Sequence, residues 1–90
     1  MEQEKGKLVR IISSTNPNLD KFIGQQRRYL ENFGCAFLEE LDKKGNGKGI
    51  GIRTSRIVDI IEEKEMMRIQ TKNSVYVLEK VEESIWIGSN

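Results

Sequence analysis

The sequence predicts one small all-β domain: a strongly bent antiparallel sheet or small closed barrel of five to seven strands. Three observations carry that prediction. From residue 34 onward, β-branched and aromatic residues recur in short runs separated by glycine-rich or charged turns. Ninety residues hold one core and leave no room for a second, so 1–90 is one domain, with an ordered core expected over about 7–88. With 37% hydrophobic and 32% charged residues, the composition is that of a folded, water-soluble chain.

Residues 7–13, KLVRIIS, read as a first strand, since Leu8, Val9, Ile11 and Ile12 favour extended backbone. SSTNPN (13–18) is a turn containing the only proline, Pro17. Two readings fit the next stretch. In one, 17–33 is a helix packed on the sheet in an α+β domain: Asn16 caps it, Pro17 opens it, Gly34 ends it, and residues 19, 22, 23, 29, 30 and 33 form its apolar face. Gly24 and the polar break from Gln25 to Arg28 oppose that helix. In the other, 19–23 is a structured loop, Gly24 turns the chain, and 26–33 is a strand. Local signals lean to the helix.

CAFLEELDK (35–43) reads as a strand bounded by Gly34 and by KKGNGKG, a hairpin loop. IGIRTSRIVDII (50–61) follows, with Ile50, Ile52 and Thr54 on one face. EEKE (62–65) is a charged turn; MMRIQT (66–71) and SVYVLEKV (74–81) are strands joined around Lys72 and Asn73. SIWIG (84–88) is a last short strand anchored by Trp86. The expected core draws on Val9, Ile11, Phe37, Ile52, Ile57, Ile60, Ile69, Val75, Val77 and Leu78.

Several function classes are disfavoured by composition. Fifteen basic against 14 acidic residues give a net charge of +1, so an electrostatic partner would have to be drawn by a local patch. No apolar run approaches the roughly 20 residues that span a bilayer, and MEQEKGK lacks the pattern of a secretion signal. The expectation is no membrane association. Cys35 is the only cysteine, which excludes an internal disulfide and fits a reducing cytoplasm.

The chain has no histidine, which removes the usual Ser-His and Cys-His nucleophiles and most zinc sites. Cys35, beside Gly34, Ala36 and Phe37, reads as a small buried thiol. The adjacent pairs Glu39-Glu40, Glu62-Glu63 and Glu82-Glu83 place their carboxylates on opposite sides of a strand, where they cannot converge on one bond. DKKGNGKGIGIR fails as a phosphate loop, because Gly49 stands where magnesium-binding Ser or Thr belongs. It fails as a calcium loop, because Lys44 and Arg53 occupy ligand positions. Neither catalysis nor a metal or cofactor is expected.

One basic feature remains. Lys43, Lys44, Lys48, Arg53 and Arg56 fall in a hairpin over 43–56 without an acid, and Arg27, Arg28 and Tyr29 belong to a neighbouring segment. Cations interleaved with an aromatic are how small barrels hold single-stranded nucleic acid. The competing account is a solvated hairpin balanced by Asp59, Glu62, Glu63 and Glu65. The candidate ligand-binding residues are Arg27, Arg28, Tyr29, Lys48, Arg53 and Arg56.

At LVRIIS, NPNLDKFIGQ and GIGIRTSRIVDI the chain resembles small SH3-like barrels, in which a first strand leads through a long loop to an Ile-Gly step (here Ile23-Gly24) and a Ser-x-x-Val segment (Ser55 to Val58) precedes a closing strand. It also resembles small uncharacterised proteins of bacteria or phage with the Arg53–Ser55 and Asn73–Tyr76 arrangement. The resemblance implies a barrel and favours the strand over 26–33. Two functions are expected: a non-enzymatic interaction module that binds a protein partner or itself through a strand edge or the Trp86 tail, or weak nucleic-acid binding through the 43–56 hairpin.

Overall fold

The computed structural model describes residues 6–81; the strand expected at 84–88 and Trp86 lie outside them. Six antiparallel strands follow one another in space as in sequence: β1 (Lys7–Ser14), β2 (Gln26–Asn32), β3 (Cys35–Leu41), β4 (Gly47–Glu62), β5 (Met66–Thr71) and β6 (Val75–Lys80). β6 returns to pair with β1, with Ile11 opposite Leu78, and closes the sheet into a barrel. The all-β prediction holds.

The helix alternative for 17–33 does not. Asn16 caps a helix, accepting from the Asn18 amide at 3.0 Å, but the helix is a 3-10 helix that ends at Phe22. Gly24 then takes φ +92°, a conformation that leaves the helical path and costs glycine nothing. Its amide donates to the Ile11 carbonyl at 2.7 Å, and Gln25 accepts from the Ile11 amide at 3.1 Å. These two bonds feed the chain into β2 beside β1. The 3-10 helix lays Leu19 and Phe22 against the barrel core.

Cross-strand partners run round the interior: Tyr29 faces Leu38, Leu38 faces Ile52, Ile60 faces Ile69, and Met67 faces Leu78. Val9, Ile11, Leu38, Ile69 and Leu78 are completely buried, each contributing about 1.5–3 kcal/mol by removal from water. Ile52, Ile57 and Ile60 pack against this cluster from its margin. Three expected core residues do not belong to it. Phe37, Val75 and Val77 are half-buried on the outer face, and Ala36, Leu38, Tyr76 and Leu78 take the inner positions. Because side chains alternate, choosing one parity sends the other outward.

Two bulges against β3 shape β4, and a third, against β5, falls between Ile57 and Asp59. Glu39 lies opposite Gly51 and Leu41 opposite Gly47, so β4 uses four residues where β3 uses two. Gly49 absorbs the excess at φ +79°, and Ile50, expected to share a face with Ile52 and Thr54, is 56% exposed. A second bulge separates the pairs Phe37–Arg53 and Cys35–Arg56. The amide of Ala36 beside it is satisfied by the buried Thr54 hydroxyl at 3.0 Å. The extra residues bend β4, so that its first half pairs with β3 and residues from Ile57 pair with β5. Gly51 cannot carry a side chain: a Cβ there would stand 2.2 Å from the Leu38 carbonyl oxygen.

The glycine-rich hairpin is shorter than expected, with its loop at residues 42–46 and Gly47 already in strand. The Asp42 carboxylate accepts from the amides of Lys44 and Asn46, both at 2.9 Å, which holds its pKa below the usual carboxylate value. Asp42 is a turn residue. Cys35 is half-buried rather than enclosed.

Candidate functional site

The alternation of β2 divides the candidate residues. Arg27 and Tyr29 point inward; Arg28 and Leu30, between and beside them, point out. Arg27 is 3% exposed and ties the barrel to the 3-10 helix. Its guanidinium donates to the Leu38 carbonyl at 3.1 Å and to Gln25 Oε1 at 2.9 Å, and lies 4.8 Å from the centre of the Phe22 ring. Burial lowers its pKa and the Glu40 charge opposes that shift, but a guanidinium stays protonated throughout the accessible range. Tyr29 is buried with no hydrogen-bond partner for its hydroxyl. Burial first, then the charges of Glu31 and Glu62, push its pKa up to about 12; Glu31 acts through its charge, not through a well-formed hydrogen bond. Neither residue can meet a ligand on the surface.

Lys48 is engaged elsewhere. Its Nζ pairs with Glu40 Oε2 at 2.9 Å, and that pairing lowers the Glu40 pKa.

Arg28, Arg53 and Arg56 come together on the outer face of β2, β3 and β4. Across the strands, Leu30, Phe37 and Arg53 form one row; Arg28, Glu39 and Gly51 form a second; Asn32, Cys35 and Arg56 form a third. Strand and residue spacings make this face about 10 Å wide and about 14 Å long. Phe37 stands at its centre with Leu30 beside it. Arg28 donates to the Gly45 carbonyl at 3.2 Å, which draws the 42–46 loop, with Lys43 and Lys44, to the same rim. Among the described residues, Arg53 and Arg56 have neither an ion pair nor a side-chain hydrogen bond. The acid within the patch, Glu39, is held by the Gly49 amide at 2.7 Å and lies over Gly47.

The opposite charge is gathered further along β4 and its turn, at Asp59, Glu62, Glu63 and Glu65. Lys7 and Lys80 both bond Glu62 and hold its pKa down at about 2. The near-neutral total thus conceals a basic face across β2, β3 and the middle of β4 and an acidic run from Asp59 to Glu65 at the end of β4.

Of the three residues expected in the core but found on the outer face, Phe37 is the one that belongs to this patch. In CAFLEEL each parity carries one glutamate, Glu39 or Glu40, so alternation alone cannot choose the buried side. No protein-family model, curated protein or solved structure matches this chain. Among the described residues, no helix is long and apolar enough to cross a membrane.

Proposed function

We propose that this protein is a non-enzymatic binding module whose outer β2–β3–β4 face holds single-stranded nucleic acid. One observation carries the proposal: Arg28, Arg53 and Arg56, on three neighbouring positions of the face, surround Phe37, and the latter two lack ionic partners among the described residues. A base stacks on the Phe37 ring against Leu30, and the guanidinium groups contact phosphates on either side. A shallow sheet face with a ring at its centre favours a single strand, whose bases are free to stack, over a duplex. Stacking reads no base edge, so the expected preference among sequences is small. A cytoplasmic location accompanies this function, in keeping with the single free thiol.

The expected affinity is modest. One stacked base contributes about 1–3 kcal/mol, and three phosphate contacts give a log–log salt slope of about −2. The test is fluorescence anisotropy of a labelled single-stranded oligonucleotide, titrated at low salt with wild type and with Arg53→Glu/Arg56→Glu. Binding that the double variant abolishes supports the proposal. Absence of wild-type binding, or binding that the two charge reversals leave unchanged, ends it.

A second observation favours a protein partner. Among the described residues, the first half of β4 pairs with β3 on one side only, so a strand edge faces outward there. Bulges on both sides of 51–53 leave a short usable edge, and Arg53 charges it, two devices that discourage strand addition. Its unmixed positive charge opposes self-pairing and suits an acidic extended segment. Chemical-shift changes confined to 51–55 on adding an acidic peptide would support this mode over the face.

A further inference from the structure

The two residues that turn β2 into β3 are Phe33 and Gly34, between the paired Asn32 and Cys35. Both have positive φ, +53° and +79°. A two-residue hairpin turn with this backbone ordinarily takes Asn, Asp or Gly at each position, and a bulky aromatic in the left-handed region is strained. Phe33 gains nothing by packing in return: it is 93% exposed.

The turn is held in place. The Gly34 carbonyl accepts from the Ile57 amide at 2.7 Å. A Cβ at Gly34 would stand 3.0 Å from a terminal nitrogen of Arg56, so the Arg56 guanidinium lies directly beside the turn. The exposed ring therefore sits on an anchored turn, next to a cation of the basic face, and about 10 Å beyond Phe37 by strand spacing.

We infer that Phe33 is a second stacking site for a nucleobase, so that a single strand lying over Phe37 continues past Arg56 and ends its contacts at the β2–β3 turn. This inference rests on the function proposed above and names the direction the ligand takes from the centre of the face. The adjacent arginine is what selects a nucleic acid: a base on the ring leaves its phosphate within reach of the guanidinium.

The test uses the full chain and an oligothymidylate of about 12 nucleotides, within the site sizes usual for small barrels. Phe33→Gly and Phe33→Asn both suit the left-handed backbone, so the variants are expected to melt no lower than wild type. Each should bind about tenfold more weakly, the loss of one stacked base, and the Phe33 ring proton resonances of the wild type should move upfield on titration. If wild type binds while both variants bind equally well and the ring resonances stay in place, the inference is overturned and the Phe37 face stands. If the variants keep their affinity but lose a concentration-dependent dimer seen with wild type, Phe33 is a protein contact and the inference is again overturned. If wild type does not bind at all, the proposed function falls and takes this inference with it.

Discussion

Phe37 and Leu38 are neighbours in sequence, but truncating them should have opposite consequences. Leu38 is completely buried, faces Tyr29 and Ile52, and belongs to the central cluster. Leu38→Ala removes its transfer free energy and leaves a cavity, a loss of about 3–5 kcal/mol. A chain of this length has roughly 5–13 kcal/mol of total stability, and each kcal/mol shifts the melting midpoint by about 4–8 °C. Leu38→Ala should therefore melt at least ~12 °C below wild type. Phe37 lies on the outer face, only partly buried and outside the central cluster. Phe37→Ala opens no internal cavity and removes part of a half-buried side chain, about 1 kcal/mol, for a fall of ~4–8 °C. Binding should reverse the order, since Phe37→Ala loses the stacking platform and weakens oligonucleotide binding about tenfold. Thermal melts by circular dichroism, with anisotropy titrations on the same samples, read both effects. If Phe37→Ala melts as low as Leu38→Ala, the assignment of inner and outer parity on β3 is wrong, and the binding face goes with it.

Other expected outcomes are as direct. The Glu62 carboxyl, held at about 2 by Lys7 and Lys80, stabilises the fold fully above its unfolded value of 4.5 and loses that contribution as pH falls toward 2. Discounted for exposure, the effect is about 1 kcal/mol, so chemical denaturation should show a smaller loss between pH 4.5 and 2 for Glu62→Gln than for wild type. Tyr29, with a folded pKa of about 12 against an ordinary 10, protects the fold below pH 10, and that protection is lost as pH rises through 12; base titration followed by phenolate absorbance should show its ionisation delayed or coincident with unfolding. Because its hydroxyl is buried without a partner, Tyr29→Phe should melt at or above wild type, and a loss of more than 5 °C would reveal a hydrogen bond. Gly51→Ala forces a methyl group against the Leu38 carbonyl and should cost about 2–3 kcal/mol, read as a lower denaturant midpoint.

The strands were largely legible because β-branched runs and turn residues are local signals. Gly24, Gly34 and Gly45 occupy turns at φ +92°, +79° and +86°, where the chain reverses or leaves one element for the next. The 17–33 segment was ambiguous because a cap and a proline start a helix well, yet neither says how far it runs. The stop came from Gly24 and from hydrogen bonds to Ile11, a residue more than ten positions earlier. The candidate site was legible as a charge distribution: no acid falls between Lys43 and Arg56. It was not legible as a set of surface residues, since Arg27 and Arg28 are chemically alike and sit one position apart.

By itself, the amino-acid sequence determined that this chain is all-β, roughly where its hairpin turns after residue 34 fall, and that five cations from Lys43 to Arg56 stand together without an acid. Tertiary structure alone decided the side of the sheet each residue occupies, which sent Arg27 and Tyr29 inward and brought Phe37 out among Arg28, Arg53 and Arg56. The reason is the two-residue period of a strand: either parity satisfies the local pattern, and only closing the barrel, with its bulges and cross-strand partners, makes one of them the inside.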